Sequence, residues 1–250
     1  MIKNFAINKN KHSIHCKLYY SGNDVRKVIL HVHGFAGHKD NKAMEKFSER
    51  VLTKYKNTAV MTFNLPCHGD DVKKKINLQD CMTYIEYAID YIKSELHAEE
   101  IYSYATSFGG YLVLKYIAEN GNPFRKIALR CPAVNMAETL MNSVIRSDEL
   151  AEIRKGKSVP VGFDRKIEVN AGFLSELEES DVQKIDYLDY ADDILILHGT
   201  KDEVVPFEAD RRFADNNVIE FIAVENADHR FQNPECMEIA TKAVLSFFSL

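Results

Sequence analysis

Apolar residues fall into short β-branched runs, separated by stretches in which they recur every three or four positions. Residues 13–20, SIHCKLYY, alternate apolar and polar and predict a half-buried strand. SGND supplies turn residues, and RKVILHVHG then predicts a strand buried on both faces and ended by a glycine. Ala43, Phe47 and Val51 follow at helical spacing, and NTAVMTFNLP predicts another buried strand, stopped by Pro66. Leu78, Met82, Ile85, Ile89 and Ile92 form the stripe of an amphipathic helix. EEIYSYATS, FRKIALRCP, DDILILHGT and NVIEFIAVEN read as four more strands. Helices are expected over GGYLVLKYIAEN, closed by Gly121, around residues 206–214, and after Pro234.

Strands that alternate with helices build right-handed βαβ units, so the pattern predicts an α/β fold with a parallel sheet covered on both faces. The first two predicted strands, 13–20 and the one in RKVILHVHG, are joined tightly and are expected to pair as an antiparallel edge. Residues 133–190 break the rhythm with helical and turn-rich pieces around GKSVPVGFDRKIEVN and no sheet strand. Connections of that length inside a compact domain are uncommon unless they do something. The expectation is one domain, 1–250, with 133–190 inserted as a cap over the sheet's carboxyl edge. Phe163, Phe173 and Leu174 either line an acyl pocket beneath that cap or form its own small core.

Composition narrows the class. The chain has 250 residues, 46% apolar and 28% charged, which suits an ordinary globular domain. Its formal charge is −5, and its basic residues are scattered, so no nucleic-acid partner is expected; Lys73–Lys75 read as a solvated loop. The five cysteines are widely spaced without a C-x-x-C pair, which indicates neither a disulfide framework nor a zinc site. No apolar run approaches membrane-spanning length, and MIKNFAINKN lacks a signal-peptide core, so a cytoplasmic protein with no membrane partner is the expectation.

Open α/β sheets bind ligands beyond the carboxyl ends of their strands. Polar residues stand at five such ends: His33-Gly34-Phe35, Cys67-His68-Gly69-Asp70, Ser107, Asp202 and Asp228-His229. Ser107 sits in Ala105-Thr106-Ser107-Phe108-Gly109 between a strand and a helix. A serine hydroxyl needs exposure and a base to act as a nucleophile, and a sharp strand-to-helix turn exposes it. The same position also suits a helix N-cap. Asp202 follows a strand in LHGTKDEVVP and is the candidate acid. Asp192 and Asp193 precede that strand, and Asp228 adjoins the candidate base too closely to orient it. His229, in ENADHRF, completes the order Ser, Asp, His.

The backbone N–H groups of Phe35 and Phe108 are the candidate oxyanion donors. Cys67, His68, Asp70 and Asp71 are too close in sequence to converge on one ion, so no metal is expected there, and NLPCHGDD is read as a rim loop.

Together these positions resemble the serine α/β-hydrolase family. The matching residues are His33-Gly34-Phe35, Asn64 through Asp70, Ala105 through Gly109, Gly199 through Pro206, and Asp228-His229. Within the family the chain is most similar to capped bacterial esterases of the cinnamoyl or feruloyl type, with monoacylglycerol lipases and oligopeptidase-like hydrolases nearby. Ala105 departs from the usual glycine, Thr106 from a common histidine, and NLPCHGDD from the usual aspartate-led loop. The resemblance implies a mostly parallel eight-stranded sheet, an acyl-enzyme mechanism on a small-molecule ester, and no cofactor. An amide or thioester substrate stays open, as does a binding protein that keeps the fold without activity.

Overall fold

A computed structural model describes residues 1–22, 24–71, 75–162 and 166–250. Phe163, Lys73 and Lys74 therefore lie outside the described residues. Eight strands form one sheet: β1 (Ile2–Lys9), β2 (His12–Tyr19), β3 (Lys27–Val32), β4 (Thr58–Phe63), β5 (Glu100–Thr106), β6 (Ile127–Arg130), β9 (Ile194–Gly199) and β10 (Glu220–Val224). Their order is β1-β2-β4-β3-β5-β6-β9-β10. From β4 to β10 all neighbours are parallel, while β2 pairs antiparallel with both β1 and β4. The chain has the α/β-hydrolase fold expected of it.

β4 and β9 are buried along their whole length and β3 at all but its first residue, as their β-branched runs require. Helices α2 (Leu78–Ser94) and α3 (Phe108–Asn120) lie in the core on one face. On the other face, α1 (Lys42–Lys54) and α8 (Pro234–Phe248) pack through Phe47, Val51, Val244 and Phe248. Helix α7 (Phe207–Asn217) joins β9 to β10. Among the described residues no helix is long and apolar enough to cross a membrane.

The expected pairing of strand 13–20 with the RKVILHVHG strand is wrong. β2 is flanked by β1 and β4, with Ile7 opposite Ile14 and Cys16 opposite Phe63. β1 escaped the hydrophobic pattern because it is an edge strand, exposed at most positions.

Between β6 and β9 the chain leaves the sheet. It forms α4 (Met136–Thr139), a π-helical turn (Leu140–Val144), α5 (Ser147–Arg154), a separate hairpin of β7 (Val159–Val161) and β8 (Ile167–Val169), α6 (Ala171–Glu179), and two 3-10 turns. Much of this insertion is knitted to the body. Tyr111 Oη donates to Ser180 O at 2.9 Å, Leu78 N donates to Glu176 Oε2 at 2.8 Å, and Tyr187 is fully buried.

Candidate active site

β5 ends at Thr106 and α3 begins at Phe108, so Ser107 alone makes the turn between them. Its φ of 50° and ψ of −121° are costly for a residue with a side chain, and the surrounding packing must hold them. Ser107 occupies the N-cap position of α3, yet its side chain caps nothing. The hydroxyl is thus not spent on the helix, which removes the N-cap reading. The residue instead lines a cavity of about 350 Å³ that His229 also lines. Gly109 makes the turn possible: a Cβ there would lie 2.2 Å from Val32 O. Ala105, fully buried, fits on the strand side despite its extra methyl.

Asp202 and His229 sit on loops that follow β9 and β10. These loops are pressed together at Gly199, where a Cβ would lie 2.3 Å from Ala227 O. His229 Nδ1 is 2.7 Å from Asp202 Oδ2. The other carboxylate oxygen, Oδ1, accepts the N–H groups of Val204 and Val205, each at 2.8 Å. The Asp202 side chain is wholly buried. Burial favours its neutral form, but the bonds from His198, His229 and Val205 outweigh that and hold the carboxyl well below the usual range. Asp228 faces elsewhere, its Oδ1 accepting Gln232 N–H at 2.8 Å. Asp193 pairs with Lys126 at 3.2 Å. The candidate acid is Asp202.

Behind Asp202 lies a pair that the sequence pattern does not point to. His198 Nε2 is 3.2 Å from Asp202 Oδ2, and its Nδ1 is 2.8 Å from Asp210 Oδ2. All three side chains are fully buried. Burial opposes a charged ring, but the two carboxylates raise His198 to about 9. Burial also pushes the Asp210 carboxyl up to about 6, against the pull of His198. One signal is present: a histidine interrupts the apolar run LILHG, and an aspartate stands on the buried face of α7 with Phe213, Ala214 and Asn217.

Phe35 lies in the turn after β3, and Phe108 is the first residue of α3, whose N–H has no intrahelical acceptor. Among the described residues neither N–H is given to another protein group. The Phe35 turn is braced from behind. Leu65 N donates to His33 Nε2 at 3.0 Å, so the ring proton sits on Nδ1 and bonds Gly34 O at 2.8 Å. This explains NLPCHGDD. The stretch does not rim the cavity, since none of residues 64–71 lines it; Asn64, His68 and Asp71 are buried, while Asp70 is exposed. Asp71 accepts from Cys67 N at 3.2 Å and from Tyr84 Oη at 2.9 Å.

The cavity walls come from Phe35 to His38, from Arg130 at the end of β6, and from Met136, Thr139 and Val144 of the insertion. Phe173 and Leu174 do not line it; they are buried in the main core, with the Phe173 ring against that of Phe108 at 6.3 Å. Cys131, His198 and Asp202 lie within 4.8 Å of one another. Both ring nitrogens of His198 are already hydrogen-bonded to acceptors, so it has no lone pair for a cation while those bonds stand.

The model of the prolyl oligopeptidase family matches residues 68–249. The chain belongs to that family. A search of characterised proteins by sequence finds no significant match. Among solved structures, Est1E from Butyrivibrio proteoclasticus with ferulic acid bound is 21% identical, covers 98% of this chain and 97% of its own, and has a TM-score of 0.76. A protein from Agrobacterium vitis S4, assigned as a hydrolase by name only, is 15% identical over 99% of both chains, with a TM-score of 0.77. A soluble variant of monoglyceride lipase from Saccharomyces cerevisiae is 12% identical, covers 100% of this chain and 94% of its own, with a TM-score of 0.74. At these identities the likeness is one of fold. The prolyl oligopeptidase match spans Ser107, Asp202 and His229 but begins after Phe35, whose assignment rests on geometry alone.

Proposed function

We propose that this member of the prolyl oligopeptidase family is a serine hydrolase of small carboxylic esters. The observation that carries the reading is the 2.7 Å Asp202–His229 pair, which opens on the same cavity as the unspent hydroxyl of Ser107. Ser107 Oγ attacks the ester carbonyl while His229 Nε2 takes its proton. The Phe35 and Phe108 N–H groups receive the developing oxyanion, a contribution of about 3 kcal/mol per donor. His229 then returns the proton to the departing alcohol, leaving an acyl-enzyme. Water, activated by the same histidine, releases the acid. Asp202 holds the Nδ1–H tautomer throughout.

A cavity of about 350 Å³ suits a small acyl or aryl ester, and the fold shared with Est1E, solved with ferulic acid, supports hydroxycinnamoyl esters as the first class to assay. The family match favours a second reading, amide or peptide cleavage by the same three residues. A cytoplasmic location belongs to the proposal; five buried cysteines without a disulfide support it.

A fluorophosphonate probe tests the core of the reading. Labelling is expected at Ser107 and is expected to vanish in Ser107→Ala. Labelling that persists in the folded variant would move the nucleophile to another residue. Parallel rates on a p-nitrophenyl ester and the matching p-nitroanilide then separate ester from amide preference.

A further inference from the structure

The buried pair behind Asp202 has no part in the mechanism above, yet it touches the oxygen on which that mechanism depends. Nε2 of His198 has two neighbours at 3.2 Å, Asp202 Oδ2 and Val205 O. The carbonyl cannot donate, and Asp202 accepts from three other groups. Nε2 therefore carries a proton. Nδ1 faces Asp210 Oδ2 at 2.8 Å, and one proton lies between them. Whether it sits on the ring or on the carboxyl, the pair is neutral overall and its Nε2–H points at Asp202.

Asp210 Oδ1 is buried without a close hydrogen bond among the described residues, and the Val134 backbone favours the carboxylate less than His198 does. A carboxylate buried at that cost needs a partner to justify it, and the partner here is the imidazole. The groups facing His198 come from four places: Asp202 on its own loop, Asp210 from α7, Cys131 after β6, and His229 beyond Asp202. The rings of Phe207 and Phe221, at 5.4 and 6.5 Å, close the remaining sides. Cys131 is held far above the usual thiol range, first by burial and then by Asp202, and stays neutral.

We propose that His198 and Asp210 are positioning residues for the triad acid: Asp210 fixes the His198 tautomer, and His198 donates to the same Asp202 oxygen that orients His229. With four donors on two oxygens, the Asp202 carboxylate can neither rotate nor pick up a proton easily. The donor on Oδ2 also spreads its charge, so the pull of Asp202 on the His229 proton is moderated. The proposal rests on the hydrolase reading above.

Glutamine and asparagine at position 198 separate the two bonds, since a Gln amide reaches where Nε2 stands and an Asn amide only where Nδ1 stands. His198→Asn is expected to lower kcat about tenfold or more, the worth of one bond to a charged group, with KM nearly unchanged. Its kcat/KM profile should lose its acid limb at a higher pH than wild type, because a less neutralised Asp202 holds the imidazolium proton more tightly. His198→Gln should restore most of both. Wild-type kcat and an unshifted limb in a folded His198→Asn protein would overturn the proposal.

A measurement on the unaltered protein serves if the variant does not fold. In a ¹⁵N-histidine spectrum His198 is expected to show a protonated Nε2 from pH 5 to 8, as its two acceptor neighbours at 3.2 Å require. A bare Nε2 would overturn it. Fluorophosphonate labelling of Ser107 distinguishes the two levels. A labelled Ser107 with an indifferent His198→Asn refutes this proposal alone, and an unlabelled Ser107 refutes both.

Discussion

Asp202 and His229 lie 27 positions apart and on two different strand-end loops, yet Oδ2 and Nδ1 meet at 2.7 Å. The parallel pairing of β9 with β10 makes this possible, since Val224 stands beside Gly199 and both strands end at the same edge of the sheet. An Asn at position 202 keeps the shape but can stabilise the wrong tautomer. Asp202→Asn is therefore expected to fold normally and lose roughly a hundredfold or more in kcat, less than the ~10⁴ of the chymotrypsin-type case. Asp228→Asn, which loses only a turn bond to Gln232, should stay within about threefold of wild type. Both are measured on one activated ester, with circular dichroism to check folding. A crippled Asp228→Asn beside an active Asp202→Asn would reverse the assignment of the acid.

The elbow gives a second expectation, in which the two small residues flanking Ser107 differ in how well they tolerate a change of one methyl. A methyl at Gly109 would press on two backbone carbonyls, at 2.2 Å from Val32 O and 2.7 Å from His33 O, and neither can swing aside. Gly109→Ala should cost about 3 kcal/mol of stability and misplace Ser107. Ala105→Gly adds chain freedom to a buried strand and removes one buried methyl, and should cost about 1–2 kcal/mol while leaving activity intact. Urea denaturation and ester turnover on both variants check this. Equal losses would mean that the turn is not packed as described.

Much of this arrangement is legible in the amino-acid sequence, because each element carries its own period and each site residue stands where an apolar run stops. Pairing is not legible in the same way. β2 lies between β1 and β4, and nothing local in SIHCKLYY says that its second neighbour starts some forty residues later at Thr58. Edge strand β1 buries little and so leaves little pattern. NLPCHGDD misleads for a related reason: its polar residues read as solvent-facing, while the fold turns Asn64, His68 and Asp71 inward, where Asn64 and Asp71 accept from the N–H groups of Lys39 and Cys67 and the His68 ring donates to Pro66 O. His198 is hidden among apolar neighbours, and its meaning depends on Asp210, which comes from the next helix.

His33 ties acid stability to the Phe35 turn. Burial lowers its pKa from 6.5 to about 4, against a smaller raising effect of its bond to Gly34 O. Between these values the unfolded chain binds a proton that the folded chain refuses. Stability should therefore fall as pH drops from about 6.5 to 4, by up to about 3 kcal/mol from this group. His33→Gln keeps an acceptor for Leu65 N–H but cannot titrate. Its unfolding free energy should decline less steeply than wild type across the same window, measured by urea titration at several pH values. Parallel slopes would show that His33 is not the buried neutral ring described.

Selectivity is expected to depend on three residues of the insertion rather than on the insertion as a whole. Deleting residues 133–190 would remove Phe173, Leu177 and Tyr187 from the main core and so confound folding with specificity. Met136, Thr139 and Val144 face the cavity beside Ser107, and Val144 is only half-buried. Val144→Phe adds bulk to that wall with little disturbance of the core. It should lower kcat/KM for a hydroxycinnamoyl ester by about tenfold or more, while an acetyl ester, which needs little beyond the proposed triad, changes much less. Met136→Ala enlarges the same wall and should favour the larger acyl group relative to acetyl. A panel of acetyl, octanoyl and hydroxycinnamoyl esters of one alcohol reads both effects. If the two substitutions leave the ratio of aryl to acetyl rates where it was, the acyl group does not bind against Met136 and Val144.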